Sequence, residues 1–570
     1  MNRPTPALVT LRGAHRLPRM ALLLLCAAYV LPGVVGRDPW RGADGAAFGQ
    51  MVALAEGRTA WWAPTLGGLV ADTALLPQWL GAAFIMLLSP AVEPALAARL
   101  PFAALLALVL ALAWYTTFHL ARTAAAQPVA FAFGGEADPV DYARAMADGA
   151  VLALMATLGL LQLGHETTPE LVQLAGVGML LYGLAAAPFR VWKARAAVLG
   201  ALALLAVSGA PAMAVALGAG AILVCALSSY QQVRRFAGWA AAGTLFAIAL
   251  ASVLGAWHWR ASGLSLTALP GIARQWAWFL WPVWPLALWT LWRWRRHLRH
   301  RHLSVPLVAV VAAMAANLLT GGSDRALMLG LPGMAVLAAF ALPTLKRGAS
   351  AAIDWFSMFF FTVCAATIWV VYSAMQTGVP AKPAANVARL APDFEPVFSW
   401  PALLLALLGT AAWVGLVRWR TGRHREALWK SMVLPAGGVA LCWLLLMTLG
   451  LPLLDYGRSP RPWVQLVAEH VPPGDCIAAP GLSPSLVAAL EHFGGWRVDA
   501  RAAAAKAAVQ DAVQAAIQAE DSALGTGACA TLLLVSRLGT AAEPGWVQHA
   551  QFRRPTDRQE QTTIYRRASP

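Results

Sequence analysis

Charge is scarce in this sequence: Asp, Glu, Lys and Arg make up 12% of its 570 residues, about half of what a water-soluble globule carries. Hydrophobic residues reach 59%, and together these values exclude a soluble globular class. Acidic residues are scarcer than basic ones, 27 against 43, leaving a formal charge of +16. Such an excess raises nucleic acid as a partner. The arginines, however, lie in short clusters between apolar runs, as orientation in a bilayer requires, so no nucleic-acid partner is expected. Cysteine is also sparse. Cys26, Cys225, Cys364 and Cys442 fall in apolar runs and read as packing residues, which leaves Cys476 and Cys529 in polar sequence. Nowhere does the chain carry a Gly-x-x-x-x-Gly-Lys-Ser/Thr loop, a His-Glu-x-x-His or a Gly-x-Ser-x-Gly. ATP hydrolysis, zinc proteolysis and serine-hydrolase chemistry are therefore not indicated.

What the chain does have is long apolar sequence. Apolar segments recur from about 20–36 through 74–90, 101–121, 149–163 and 170–188 to 399–417 and 432–453, fourteen in all. A run of about 20 apolar residues is what a helix needs to cross about 30 Å of hydrocarbon, so the expected class is an all-α polytopic membrane protein. The basic start, "MNRPTPALVTLRGAHRLPRM", precedes "ALLLLCAAYVLPGVVG" and has the outline of a signal peptide. Gly36 leads into a charged loop rather than a cleavage site, and many spans follow. An uncleaved first helix is expected.

Basic loops at 292–302, 344–348 and 418–430, with 189–195 and 231–235, are expected in the cytoplasm. Loops near 164–170, 256–274, 321–325 and 376–398 then face outward, as does everything after about 454. Fourteen crossings from a cytoplasmic N-terminus would return the tail to the cytoplasm. One segment before about residue 149, such as 74–90, therefore does not cross, giving about thirteen spans. The expected domains are a cytoplasmic N-terminus (1–19), a membrane domain (20–453) with an external loop at 37–73, and an external domain (454–570). The insert 131–148, with Glu136, Asp138, Asp141 and Asp148, reads as a solvated connector.

The tail differs in composition. "CIAAP", "CATLLLVSR" and "TTIYRR" have strand character, and an alanine-rich stretch at 500–520 has helical character. A small α/β domain is predicted. Cys476 and Cys529 each stand at the start of a strand. In an oxidising compartment they form either a disulfide or two buried thiols, because spacing alone does not supply the geometry.

The first loop, "GRDPWRGADGAAFGQMVALAEGRTAWWAPTLGG" (36–68), concentrates charge and tryptophan. Residues 44–56 put Phe48, Met51, Val52 and Ala55 on one helical face, a pattern suited to a helix lying on the membrane surface. Asp44, at its start, is either an N-cap or a general base held at headgroup depth. Asp38, before Pro39, is either a turn residue or a second acid. Arg37, Arg41 and Arg58 are candidate phosphate ligands, and Trp40, Trp61 and Trp62 suit the interface.

The order "D-GAAFGQMVALAEG", "WWAPTLGG" and "DTALLPQWLGAAF" resembles the first external loop of the polyprenyl-phosphate-dependent GT-C glycosyltransferases. The aminoarabinose transferase-like branch, related to the protein O-mannosyltransferases, is the nearest in pattern. The resemblance places Asp44 at the first acid of the family's Asp-Glu pair and "PTLGG" (64–68) at its turn. Asp72, in "ADTALLPQWLG", falls in the acidic-Lys-Pro-Pro stretch. Gly45 stands where the family has Glu, and no lysine occurs in 71–81. "LGHETTPE" (163–170) falls at the family's second external loop, where His165 and Glu166 bind a metal, position the acceptor, assist proton transfer or are merely structural. "WFLWPVWPLALW" (278–289) resembles the family's Pro-Trp helix, and "GGSDRALMLGLPGMAVLAA" (321–339) its lipid-phosphate loop, with Arg325 at a basic position. A cation beside hydrocarbon is more often functional than incidental. The tail from "LDYGRSPRPW" onward resembles the periplasmic domain of proteobacterial members.

The resemblance implies a GT-C-like fold in a bacterial inner membrane, with a periplasmic C-terminal domain. It implies transfer of a sugar from a polyprenyl-phosphate-linked donor to a lipid, glycan or protein acceptor. In that reading Asp44, helped by Asp38 or Glu166, takes the acceptor proton. Arg325, Arg58, Arg41 and Arg37, with Asp72 and His165, form the phosphate and substrate site. The resemblance fixes no cofactor, and a divalent metal is left open, since one His-Glu dipeptide falls short of three converging ligands. The alternative is a lipid or polysaccharide transporter, or a non-catalytic assembly factor. Transporters, however, place ionisable groups near the midplane and often show internal repeats. Here polar features cluster at the outer rim.

Overall fold

The computed structural model describes residues 7–70, 74–131, 134–257, 266–422, 427–501, 529–536, 546–554, 556–557 and 559–567. The chain divides into two compact units. The first comprises Met1–Val35, Leu100–Ile368 and Ser399–Leu449; the second comprises Gly36–Arg99, Trp369–Phe398 and Gly450–Pro570. The first loop, with the Leu75–Leu88 helix after it, thus groups with the C-terminal domain rather than with the Arg19–Val30 helix before it. The reason is packing: Leu66 of that loop shares one buried core with Trp463, Val487, Leu490 and Ile564.

Among the described residues six helices are long and apolar enough to cross a membrane: Pro94–Ala121, Pro169–Ala186, Gln231–Val253, Arg301–Leu319, Arg347–Thr377 and Trp400–Thr421. A seventh counts if Lys430–Leu446 and Leu451–Arg458, bent by 72°, are taken as one span. Arg19–Val30, Leu75–Leu88, Pro211–Ala226 and Leu331–Thr344 are shorter apolar helices. The apolar segments read from sequence are present as helix, but several are cut below spanning length. Segment 275–293 lies in Leu269–Phe279 and Val283–Arg293, which part around Pro282, a residue with no N–H to give to a helix. Segment 149–163 is divided at Thr157, between Pro139–Ala156 and Leu158–Leu163.

In the first unit the N-terminal segment is tied to two connectors distant in sequence. Backbone N–H groups of Val129 and Ala137 donate to the carbonyls of Ala7 and Val9 at 3.0 and 3.1 Å, and Leu11 donates to Gly135 at 3.2 Å. Leu428 donates to Gly13 at 3.0 Å, and the Trp429 indole donates to the His15 carbonyl at 2.7 Å. The N-terminal segment, the 129–137 connector and the end of the basic 418–430 loop therefore share one face.

In the second unit two short strands, β1 (Thr65–Leu66) and β2 (Leu69–Val70), form an antiparallel hairpin. Gly67 and Gly68, with φ of 55° and 75°, make its two-residue turn, as left-handed glycines do in tight hairpins. Five further strands are β3 (Cys476–Ala478), β4 (Arg497–Asp499), β5 (Thr531–Ser536), β6 (Trp546–Arg553) and β7 (Gln561–Arg567). They form one sheet in the order β4-β3-β5-β7-β6. β3 pairs in parallel with β4 and β5, and β7 in antiparallel with β5 and β6. The helix Pro484–Gly494 contributes Leu486, Val487 and Leu490 to the core. Cys476 and Cys529 are disulfide-bonded, with Cα atoms 4.8 Å apart. The alanine-rich helix expected at 500–520 lies, beyond Arg501, outside the described residues.

Candidate functional site

In the second unit the first loop leads into a helix, Ala43–Ala55. Its N-cap is Gly42, so Asp44 occupies the first turn rather than the cap. The apolar face of the helix is covered by protein: Phe48, Met51, Val52, Ala53 and Leu54 are all buried. Glycine explains this. A Cβ on Gly49 would stand 2.2 Å from the Ala488 Cβ, and one on Gly45 would stand 2.8 Å from both the Ser485 hydroxyl and the Trp40 carbonyl. Two glycines four residues apart let the Pro484–Gly494 helix approach to backbone distance. Gly45, which departs from the family's Glu, leaves no room there for a longer side chain.

Asp44 is 3% exposed. Its Oδ2 accepts from the Trp40 backbone N–H at 3.2 Å and from Arg37 Nη2 at 3.3 Å. Arg37 is itself buried, and its guanidinium lies 4.6 Å from the Trp40 ring centroid, with that of Arg458 at 4.7 Å. Asp455 holds the same loop from the other side of the sequence. Its carboxylate accepts from the Trp40 indole at 2.7 Å and from the Asp38 backbone at 3.2 Å. Asp38 is gripped by Arg461, Nη2 to Oδ1 at 2.7 Å and Nε to Oδ2 at 2.9 Å, and by the Ser459 hydroxyl at 2.8 Å. Burial pushes the Asp38 carboxyl up, but Arg461 and Ser459 outweigh it and hold it below its ordinary value. Buried Arg99 lies within electrostatic reach of Arg37, Asp38, Asp44 and Asp455. Three carboxylates and at least three guanidinium groups thus converge on one short loop.

Two predicted phosphate ligands are elsewhere in this unit. Arg41 pairs with Glu560 at 2.5 Å. Arg58 follows the C-terminal end of the helix, about 18 Å from its start by helical rise, where it bonds Glu56 at 2.7 Å and also Glu491. Asp72 lies outside the described residues.

The first unit holds the second candidate group. Arg325 opens a short helix, Asp324–Met328, capped by the Ser323 hydroxyl. Its Nη2 donates to Glu166 Oε2 at 2.5 Å, and its Nη1 to the Thr168 hydroxyl at 3.0 Å and toward Glu170 at 3.5 Å. The other Glu166 oxygen accepts from Gln162 Nε2 at 3.0 Å. His165 takes a structural place. Its ring nitrogens face the carbonyls of Leu161 and Tyr29 at 2.6 and 2.8 Å, and its ring lies 4.6 Å from that of Trp443. Among the described residues no three His, Cys, Asp or Glu side chains converge as metal ligands.

Asp455, Arg99 and Arg461 were not singled out from sequence. Arg461 lies in the quoted "RSPRPW" and Asp455 just before it, but nothing local pairs residue 455 with residue 40. Thr168 and Glu170 lie in the quoted "GHETTPE" without a signal that they hold Arg325.

No protein-family model matches the sequence, and neither does any curated protein. Solved structures do match. The crystal structure of ArnT from Cupriavidus metallidurans bound to undecaprenyl phosphate superposes with a TM-score of 0.56, over 96% of this chain and 97% of its own. This chain shares the ArnT fold. Identity is only 15%, and the apo ArnT crystal structure from the same organism matches equally, over 96% of each chain. At that identity the ArnT likeness establishes architecture from end to end, including a membrane helical part and a small sheet domain. Residue roles must come from the site itself.

Proposed function

We propose that this protein is a membrane glycosyltransferase using a polyprenyl-phosphate-linked sugar as donor. The observation that carries the proposal is the match along 96% of both chains to ArnT, whose crystal structure holds undecaprenyl phosphate. Asp44 takes the acceptor's hydroxyl proton as general base. The freed oxygen forms a bond to the anomeric carbon as the bond from that carbon to the phosphate oxygen breaks. The polyprenyl phosphate leaves with the electron pair, and the resemblance implies inversion at that carbon. Arg325 binds the leaving phosphate, where negative charge develops.

The supporting residues divide the work. Glu166, in contact with Arg325, orients the guanidinium rather than moving a proton. Asp38, claimed twice by Arg461, fixes the loop that presents Asp44. Arg37 fixes the Asp44 carboxylate, and Arg41 and Arg58, held by Glu560 and Glu491, support the second unit. The Cys476–Cys529 disulfide supports an oxidising location for that unit, in keeping with a periplasmic face opposite the basic loops. The acceptor is a lipid, a glycan or a protein hydroxyl.

The test is transfer of labelled sugar from a polyprenyl phosphate donor by purified protein in lipid nanodiscs. Asp44→Asn should lower the rate by about 10²–10⁴, the usual range for losing a general base, with the fold intact by thermal melting. Undiminished transfer by Asp44→Asn would remove the assignment.

A further inference from the structure

The first unit carries, on the face shared by the N-terminal segment and the 427–430 loop, a cavity of about 850 Å³. It runs between the start of the first helix and the last turns of Trp400–Thr421. Arg12, His15 and Arg16 line one end, and all three are exposed. The remaining wall is apolar, with the Trp419 and Trp429 rings stacked in planes parallel to within 2° and Leu416 and Val433 beside them. Among the described residues neither Arg12 nor Arg16 makes an ion pair, although Arg16 lies within electrostatic reach of the Asp148 carboxylate. Arg420, on the same helix as Trp419, is by contrast already paired with Asp354.

We infer that this cavity binds one anionic phospholipid of the cytoplasmic leaflet, its phosphate on Arg12 and Arg16 and an acyl chain along the tryptophan wall. Two features select that occupant. Exposed arginines without an ion-pair partner attract an anionic headgroup beside a membrane, and indole rings suit the headgroup boundary. An apolar wall continuous with the basic end suits a molecule that has both parts. A soluble phosphate would use only the arginines, and a neutral lipid only the wall. The site is independent of the transfer chemistry, since none of its residues belongs to the Asp44 or Arg325 groups.

Gly415 offers a clean block. A Cβ there meets nothing within 4 Å, so a large side chain enters the cavity without displacing backbone. The experiment is native mass spectrometry of the full chain with an equimolar excess of dioleoyl phosphatidylglycerol and dioleoyl phosphatidylethanolamine. Wild type should retain one phosphatidylglycerol in preference. Arg12→Gln/Arg16→Gln should bind it about thirtyfold more weakly, about fivefold for each arginine near an anionic surface. Gly415→Trp should abolish the bound species. Arg295→Gln/Arg296→Gln removes the same charge from residues that do not line the cavity and should bind as wild type. Equal retention of the two lipids overturns the inference, as does equal weakening by both arginine pairs. Retention by Gly415→Trp overturns it too; should that variant misfold, the two arginine pairs decide.

Discussion

Asp44 and its arginine stand only seven positions apart in sequence, whereas Glu166 and Arg325 stand 159 residues apart. Both are acid–arginine pairs, but their surroundings differ. The Arg37 side chain is 0% exposed and Asp44 is 3% exposed, while Arg325 keeps 21% of its side-chain surface. A sealed arginine can only position its carboxylate. One with open surface can also meet a phosphate. The difference teaches that charge type alone does not assign an arginine its role; whether its guanidinium keeps open surface separates the two.

The sharpest way to break this comparison is to remove each arginine. Arg37→Gln should act on stability first, because stripping one partner from a buried pair costs about 3–5 kcal/mol. Thermal melting of the purified protein measures it. Arg325→Gln should lower melting less than Arg37→Gln, since Arg325 keeps open surface and glutamine can still donate to Glu166, and should lower transfer by about 10²–10³, the usual cost of losing one group that stabilises developing negative charge. If Arg325→Gln instead melts early while Arg37→Gln loses only activity, the two roles are exchanged.

Packing sharpens the comparison next. Gly49→Leu forces a side chain into the space held by Ala488. Overpacking of this kind costs about 1–3 kcal/mol, and it should displace the helix that carries Asp44. Transfer should fall along with melting temperature, and an unperturbed variant would show that the glycine contact is dispensable.

The smallest expected effect is the acid response of Asp38. Its carboxyl is held below its ordinary value in the folded protein, so its stabilisation is present above about pH 4, the usual carboxylate range. It is lost as pH falls through the lowered folded value. Arg461 is 46% exposed, so the pair contributes under about 1 kcal/mol. Asp38→Asn should flatten the acid limb of a melting-temperature profile slightly. An identical limb would show that the pair contributes nothing measurable.

How legible the site was follows the same division. Arg37, Asp38 and Asp44 lie within one short loop, so local composition drew attention to them. The turn at 64–68 was legible through the family resemblance, and the structure shows Gly67 and Gly68 supplying its left-handed backbone. Asp455 escaped notice because its bonds to Trp40 and Asp38 span more than 400 residues. The burial of Ala43–Ala55 escaped for a related reason. Its apolar face was plain, but the partner that covers its glycine face, Pro484–Gly494, lies far along the chain. Crossing segments were legible by hydropathy, and their division by proline and by the bend before Leu451 was not.

The account stands or falls on bond cleavage at the donor. A polyprenyl-phosphate sugar labelled in both the sugar and the prenyl chain, given to reconstituted protein with an acceptor extract, allows both products to be counted. One free polyprenyl phosphate per sugar transferred by wild type, and almost none by Asp44→Asn, is the expected result. Donor that crosses the vesicle membrane with its sugar–phosphate bond whole would contradict the account and mark the protein as a carrier.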